Sequence, residues 1–374
     1  MLNDSLSKTL HGTLNKLQGG VSSHTGLVGL DGFIDKIQKP VKLQDSAGCE
    51  YYNTLSDFGQ RVMDASDQSA QIELHTNTIK LGGNAPIFAN ALANLGIKNT
   101  CLGTFGTPEI HPVFKEIHQD SNLISLGHSA ETNALEFDDG KLILSELSSF
   151  RELDWNQVKA QVDMNQLQEL AANVQLVGLV DWCNLVHASN IWRGVLEDII
   201  KLSVDQQPYF FFDLADPSKK STDEVVEVIE IINSFSAYGK VTLGLNENET
   251  IRLASFLGLS TNLEDDKELL LSLGRNLFDY MDIDRLLIHP IDGCLSINRS
   301  QEYSLPGRVV VHPKVSTGGG DNFNAGFCFG LLNGFTDMES MVCAMATSGA
   351  YVQNGASPDL STLIAYMESW SQGQ

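Results

Sequence analysis

Apolar segments of five or six residues alternate with longer helical segments over most of this 374-residue chain, and this alternation limits the fold more than any other feature. Short buried strands between helices are typical of βαβ units, which build a mostly parallel sheet. The sequence therefore predicts an α/β fold. The predicted strands are 26–31, 99–104, 175–180, 208–213, 241–245 and 284–289, and the predicted helices are 85–95, 156–172, 222–235, 247–258, 264–279, 321–333, 337–353 and 360–370.

Two segments interrupt this alternation. Residues 70–80 alternate apolar and polar side chains, which is typical of a partly exposed strand. Residues 131–147 have the pattern of two strands joined by Asp-Asp-Gly at 138–140, a turn that favours a hairpin. We therefore expect a small β-sheet appended to the main domain, with strands within about 36–80 and 122–147. An ordinary hairpin at the edge of the main sheet is the alternative.

Residues 1–24 are predicted to form a helical extension, because leucines recur there at helical spacing. Such a stripe packs against a domain. A helix lying on a lipid surface is the alternative, which the small number of basic residues disfavours. One main domain is expected over 25–360, followed by a C-terminal helix and tail at 361–374. The leucines are Leu2, Leu6, Leu10, Leu14 and Leu17.

The composition argues against several classes of partner. The net charge of −23, from 24 basic and 47 acidic residues, repels nucleic acid and anionic membranes. No apolar segment reaches the roughly 18 residues that span a bilayer, and the N-terminus lacks the apolar core of a signal peptide. The six cysteines contain no Cys-x-x-Cys pair, which argues against a zinc site and fits free thiols in the cytoplasm.

The segment KVSTGGGDNFNAGFCFG at 314–330 is the most informative part of the chain. It follows a predicted strand at 308–311 and places three glycines directly before a helix. The N–H groups of Gly318–Gly320 and of the first helical turn are expected to form an anion pocket, which the helix dipole strengthens. Asp321 is expected to cap this helix. A carboxylate beside a phosphate pocket suits phosphoryl transfer to a hydroxyl, whereas a cap without a catalytic role is the alternative.

This segment resembles the C-terminal signature of the ribokinase/PfkB carbohydrate kinases, TGAGDxFxAG. The matching residues are Thr317, Gly318, Gly320, Asp321, Phe323, Ala325 and Gly326, while Gly319 replaces an alanine. The resemblance implies a ribokinase-like fold of three layers with a small β-sheet lid, and it implies the use of ATP and Mg²⁺. It also implies that Asp321 is the catalytic base and that Gly318, Gly319 and Gly320 form the anion hole.

A second segment, GGNAPIFANALANLG at 82–96, is similar to the N-terminal signature of the same family. By itself the segment has the pattern of a tight turn followed by a helix with an apolar inner face. The resemblance implies that Gly82, Gly83 and Asn84 bind hydroxyl groups of the acceptor. Ile87 stands where the family has an asparagine.

Two carboxylates follow the first predicted strand, in GLVGLDGFIDKI. The carboxyl ends of strands in an open parallel sheet lie where ligands bind, and each carboxylate accepts hydrogen bonds from hydroxyls. Asp31 and Asp35 are therefore both candidate ligands of a polyol. The family carries one substrate-binding aspartate here, and the spacing leaves both residues open. For either one, a solvated turn is the alternative.

Three further segments are similar to the nucleotide site of the family. Asn246 and Glu249, in GLNENET, match an N-x-x-E motif that organises Mg²⁺ and the phosphates. The resemblance therefore implies that Glu249 holds the metal through water, although acids in a first helical turn are also favourable for dipole reasons alone. It further implies that Thr317, Asn354 and Gly355 contact the nucleotide.

The sequence thus predicts an ATP-dependent kinase that transfers the γ-phosphoryl group to a hydroxyl of a sugar or sugar-like small molecule. A nucleoside kinase of the same fold is one alternative. A non-catalytic ligand-binding or regulatory protein is another, although it need not keep Asp321 and its glycines. A dinucleotide-binding enzyme is disfavoured, because no G-x-G-x-x-G follows the first strand. We expect a small-molecule partner, no nucleic acid or membrane partner, and a lid that offers a surface for a homodimer.

Overall fold

The computed structural model describes residues 4–46, 48–203, 207–259 and 266–372. The strands are β1 (Thr25–Gly29), β2 (Phe33–Asp45), β3 (Gly48–Tyr51), β4 (Leu74–Gly82), β5 (Lys98–Gly103), β6 (Ser121–Ser125), β7 (Ala130–Phe137), β8 (Gly140–Glu146), β9 (Leu176–Leu179), β10 (Tyr209–Asp213), β11 (Lys240–Asn246), β12 (Arg285–His289), β13 (Gly293–Asn298) and β14 (Glu302–Pro306).

The helices surround these strands, and a short π-helical turn at Leu196–Ile200 joins α6 to α7. The helices are α1 (Asp4–Gln18), α2 (Leu55–Met63), α3 (Asn84–Asn94), α4 (Trp155–Gln161), α5 (Met164–Asn173), α6 (Ala188–Val195), α7 (Lys201–Ser203), α8 (Thr222–Phe235), α9 (Glu247–Phe256), α10 (Asp266–Tyr280), α11 (Gly319–Leu332), α12 (Asp337–Asn354) and α13 (Leu360–Ser371).

A nine-stranded sheet is the centre of the fold, in the order β14-β13-β12-β11-β10-β9-β1-β5-β6. The strands from β12 to β6 pair in parallel, whereas β13 and β14 are antiparallel. Successive side chains of a strand face opposite sides of its sheet. Accordingly, Phe210 and Phe212 of β10 enter the core on one face, and Phe211 enters the core on the other. The α/β class and the mostly parallel sheet are confirmed.

A separate sheet of five strands forms the lid. In it β2 is central, and it pairs with β3, β4 and β7. The hairpin of β7 and β8 closes at Phe137 and Gly140, as the Asp-Asp-Gly turn predicted. Because these strands belong to their own sheet, the prediction of an appended sheet is confirmed, and the alternative of an edge hairpin on the main sheet is wrong.

Two predicted elements differ from the structure. Residues 308–311 are not a strand. The neighbouring strand β13 begins at Gly293, which pairs with Pro306 at the end of β14, so β13 offers no residue for pairing beyond this point. The predicted helix 156–172 is two helices, α4 and α5. Between them Val162 is extended, and Asp163 accepts hydrogen bonds from the N–H groups that begin α5. The side-chain cap at Asp163 thus starts a new helix, although the apolar periodicity of the sequence continues through this point.

The N-terminal helix packs on the main domain. Leu6, Leu10, Leu14 and Leu17 are buried in the core that α12 and α13 share. Lys16 forms a salt bridge to Glu339 at the start of α12, with 2.7 Å between Nζ and Oε2. The apolar stripe is therefore covered by protein, and the lipid-surface alternative is wrong. No helix among the described residues is long and apolar enough to cross a bilayer.

Replacing Leu10 with Ala tests this packing, because its side chain is completely buried between α1 and the domain. The loss of its methyl groups and the cavity left behind are expected to lower the free energy of unfolding by about 2–5 kcal/mol. Urea denaturation followed by circular dichroism measures the change. The exposed neighbour Lys8, changed to Ala, is the control and is expected to have little effect. A loss below about 1 kcal/mol for Leu10→Ala would contradict the packing.

Candidate active site

The glycine-rich turn begins helix α11. Gly318 is its N-cap, in the left-handed region at φ +88°, which glycine adopts without strain. The Gly319 N–H donates to the carbonyl of Ser316 at 3.2 Å. The N–H groups of Gly320 and Asp321 follow in the first turn, where no carbonyl of the helix can accept them. Asp321 is therefore the third residue of the helix, and its predicted place as the cap is wrong.

Buried acids line the carboxyl edge of the large sheet. Four adjacent strands, β1, β9, β10 and β11, are each followed or ended by one buried acid. Because parallel strands end at the same edge, these acids lie near one another. We refer to them as the acid row: Asp31, Asp181, Asp213 and Glu249, each at most 9% exposed.

Asp321 faces the acid row from the start of α11. Burial raises the pKa of Asp321 well above its usual value, and the charges of Asp213, Asp31 and Glu249 raise it further. Within the acid row, burial raises the pKa of Asp31 to about 7 and that of Glu249 to about 8. Such perturbed groups in a cleft are typical of functional sites.

Asp181 belongs to this row, and the sequence analysis missed it. It follows β9 directly in LVGLVD, the same apolar-strand-then-acid pattern that drew attention to Asp31. The residue is completely buried, and its Oδ1 accepts a hydrogen bond from Asn184 Nδ2 at 2.7 Å. Burial, followed by the charge of Asp31, raises the pKa of Asp181 well above its usual value.

The structure separates the two aspartates that the sequence left open. Both oxygens of Asp31 accept backbone N–H groups, from Asn84 at 2.8 Å and Ala85 at 2.7 Å. Asp31 therefore caps helix α3. Its Oδ2 lies so close to Gly83, which has φ +101°, that a Cβ there would be 2.5 Å away. The GG turn thus needs glycine both for its backbone angle and for the approach of this carboxylate.

Asp35 contacts Gly82, the other glycine of the same turn. Its carboxylate lies so close to the Cα of Gly82 that a Cβ there would be 2.3 Å from Oδ2. Oδ1 accepts a hydrogen bond from Thr132 Oγ1 at 2.6 Å, and this is the one hydrogen bond to the carboxylate among the described residues. Burial raises the pKa of Asp35. Unlike Asp31, this carboxylate keeps an oxygen for a ligand.

Tyr351 of α12 holds the glycine turn that precedes α11. Its hydroxyl donates to the carbonyl of Thr317 at 2.9 Å. Burial raises the pKa of this hydroxyl to about 12, and the charges of Asp321 and Asp35 contribute. A Cβ on Gly318 would lie 3.2 Å from Ile87 Cδ1, so the turn before α11 also packs directly on α3. Asp35 and Asp321 therefore both lie near the Tyr351 hydroxyl.

A cavity of about 550 Å³ lies on the other side of the α11 turn. Of the residues implied in nucleotide binding, Asn246 lines it, together with Gly319 and Gly320. Glu249 does not line the cavity. It forms a reciprocal capping box with Asn246, in which each side chain accepts a hydrogen bond from the backbone N–H of the other residue.

Thr317, Asn354 and Gly355 do not line this cavity. Thr317 instead offers its carbonyl to Tyr351. Gly355 is the left-handed C-cap of α12, at φ +79°, and Asn354 is exposed in the last turn. The Asn-Gly pair thus forms the end of a helix, and its contact with the nucleotide stays a prediction. Val352 and Ser348, about one and two turns before Gly355 in α12, line the cavity.

Comparison with known proteins assigns the chain to a family. The family model for prokaryotic ketohexokinase matches residues 4–370. A ketohexokinase from Haloferax volcanii is 27% identical over 350 residues, which cover 92% of this chain and 91% of the relative. The chain therefore belongs to the prokaryotic ketohexokinase family.

Solved structures agree on the fold. Arabidopsis thaliana ribokinase, in complex with ribose and ATP, matches 93% of this chain and 99% of its own with a TM-score of 0.63 and 15% identity. Adenosine kinase from Sinorhizobium meliloti matches 94% of this chain and 99% of its own with a TM-score of 0.61 and 15% identity. The ribokinase-like fold and the ribokinase/PfkB resemblance are confirmed. The chain is a carbohydrate kinase, and the non-catalytic alternative is set aside.

The acid row makes the stability of the ligand-free protein depend on pH. Folding raises the pKa of Asp31 to about 7 and of Glu249 to about 8. The folded state thus binds more protons than the unfolded state between about pH 4 and 8, so stability is lost as pH rises through this window. Asp181→Asn removes one buried acid and is expected to make the fall in Tm between pH 5.5 and 8 shallower. Thermal unfolding measures this.

The control is Asp223→Asn, which removes the same charge from an exposed position in α8. It is expected to keep the slope of the native chain. Equal slopes for Asp181→Asn and the native protein would contradict the electrostatic role of the acid row.

Proposed function

We propose that this member of the prokaryotic ketohexokinase family transfers the γ-phosphoryl group of ATP to a hydroxyl of a ketohexose, with Asp321 as the general base. The observation that carries the proposal is the position of Asp321. It lies in the first turn of α11, next to Gly320, which lines the cavity of about 550 Å³, and its charge, like that of Asp35, acts on the Tyr351 hydroxyl. The ketohexokinase name of the Haloferax relative supports the acceptor class.

Asp321 is suited to accept the proton of the acceptor hydroxyl. A general base works best when its pKa is near the working pH, and an exposed aspartate is too weak for this purpose. Burial and the acid row raise the pKa of Asp321 in the required direction. The carboxylate takes the proton as the hydroxyl oxygen forms its bond to phosphorus, and ADP leaves on the opposite side.

The start of α11 is proposed to stabilise the moving phosphoryl group. The N–H groups of Gly320 and Asp321 are free of helical partners, and the positive end of the helix dipole lies behind them. Preorganised donors of this kind stabilise developing charge without reorganisation. Gly319 contributes by shaping the turn, since its own N–H is bonded to Ser316.

Asp35, with the backbone of Gly82 and Gly83 and the side chain of Asn84, is proposed to bind the acceptor. The carboxylate of Asp35 has an oxygen available, and Thr132 fixes its orientation. Asp31 is proposed to position this turn rather than contact the sugar, because it is completely buried and both of its oxygens accept the first N–H groups of α3.

Mg²⁺ is proposed to reach the site with the nucleotide. Among the described residues, no three His, Cys, Asp or Glu side chains are arranged to hold a metal directly. Burial, followed by the charge of Asp213, raises the pKa of Glu249, and the closeness of these two acids fits a cation nearby. Mg²⁺ keeps several waters, so Glu249 and Asp213 would hold it through water. When bound, the ion neutralises charge on the phosphates.

A kinetic screen tests the function. ATP consumption and sugar phosphate formation, followed with ketohexoses, aldohexoses, pentoses and nucleosides, are expected to show turnover with a ketohexose and loss of that turnover in Asp321→Asn. That variant should lower kcat by at least a thousandfold, because the proton acceptor is lost, while ADP binding is kept.

Two outcomes would contradict this proposal. Faster turnover with a nucleoside than with any sugar would favour the nucleoside kinase alternative. Near-native kcat for Asp321→Asn would remove the assignment of the base.

A pair of variants separates the roles of the two aspartates. Asp35→Asn is expected to raise KM for the sugar at least tenfold with Tm nearly unchanged, because a direct contact is weakened. Asp31→Asn is expected to lower Tm, because one oxygen that accepts a backbone N–H at the start of α3 is replaced by an amide donor. Sugar titrations and thermal unfolding of both variants provide the comparison. The assignment fails if the KM effect belongs to Asp31 and not to Asp35.

A further inference from the structure

The cavity of about 550 Å³ has a definite direction across the sheet. Its inner end, at Asn246 and Gly320, adjoins the acid row on β10 and β11. From there it extends over β12 toward β13 and β14, which lie at the edge of the sheet. Because the first turn of α11 attracts phosphate, the outer end is left for the nucleobase of the donor. This orientation rests on the proposed kinase function.

The outer end is lined by apolar groups and backbone. Its residues come from the turn after β12 and from the segment after β14: Ile291, Gly293, Gly307, Val309, Val310 and Pro313. Ile291 and Val309 are 91% and 53% exposed, so apolar surface is open to water where a flat base would cover it. None of these six residues has a side chain that donates or accepts a hydrogen bond.

Arg308 also lines the cavity, but its guanidinium is engaged elsewhere. It lies 4.8 Å from the ring centroid of Tyr366, and NH1 donates to Ser369 Oγ at 3.4 Å. The charged group therefore holds the segment after β14 against α13. In this orientation it is not available to distinguish the edge of one base from another.

Adenine and guanine differ in the donors and acceptors on their edges and present nearly the same flat apolar faces. A site that forms hydrogen bonds with a ligand discriminates against an analogue that cannot form them by factors of about 10⁴–10⁵. A site that binds by apolar packing alone discriminates between ligands by factors of about 10–200. We propose that the donor site holds the base by apolar packing and that it accepts GTP as well as ATP.

With GTP the chemistry is unchanged. A bond forms between the acceptor oxygen and the γ-phosphorus, and the bond from that phosphorus to its bridging oxygen breaks. GDP leaves, and the hydroxyl proton passes to the Asp321 carboxylate.

Initial rates with ATP and GTP at a saturating ketohexose test the proposal. The ratio of kcat/KM for ATP over that for GTP is expected to be below about 200, the upper range for packing alone. A higher ratio would mean that protein groups, for example backbone groups, form specific hydrogen bonds with the edge of the base. That result would overturn the proposal.

Val309→Ser identifies the packing contact. It is expected to raise KM for both nucleotides by the same factor, with kcat kept, since both bases lose the same apolar surface. A loss confined to one nucleotide would count against the proposal. Val186→Ser, a change of a half-exposed valine outside the cavity, is the matched control.

Binding of ADP and GDP, measured by calorimetry without acceptor, separates this inference from the proposed function. Dissociation constants within about 200-fold support the inference even if no sugar is phosphorylated, whereas a larger difference overturns it even if ketohexose turnover is found.

Discussion

Several carboxylates must be buried together at one edge of a parallel sheet, and much of the rest of the site follows from this constraint. In the part of the chain that the structure describes, no lysine or arginine forms a salt bridge with the acid row. Amide donors bond to these acids instead: Asp31 accepts the first N–H groups of α3, and Asp213 accepts the backbone N–H of Ala215 and the side-chain amide of Asn324. Oδ2 of Asp181 is buried without such a donor among the described residues. Neutral donors leave the negative charge uncompensated, so a cation that arrives with the substrate is attracted to this edge.

The glycine turns are the second consequence of this constraint. A carboxylate can approach the backbone at Gly82 and Gly83 because neither residue has a Cβ, and Gly318 permits the same closeness between α11 and α3. The proposed acceptor site at Asp35 and the cavity lined by Gly319 and Gly320 can then both approach the start of α11. Phosphoryl transfer needs this proximity, because donor and acceptor must approach one phosphorus atom in line.

Element type was more predictable than element boundaries or partners. The six predicted parallel strands are all present, because strands buried on both faces are continuously apolar in sequence. The strand predicted at 308–311 was wrong although its residues are apolar and β-branched, since a strand needs a partner that sequence does not reveal. The missed Asp181 has a local signal, an acid directly after an apolar strand. Tyr351 has none, because it lies within a helix and meets Thr317 only in the folded chain.

The sequence by itself determined the α/β class, the separate hairpin, the family and the glycine-rich start of α11, because periodicity, turn residues and signature motifs are local properties. Only the tertiary structure distinguishes the surroundings of Asp31 from those of Asp35. Both follow the same strand and have the same side chain, and what distinguishes them is which backbone N–H groups lie within reach after α3 has packed. Likewise, the predicted helix 337–353 already implied a helix end at Asn354 and Gly355, but only the folded chain shows which residues of α12 line the cavity. Hydrogen-bond occupancy depends on long-range packing, and no local pattern encodes it.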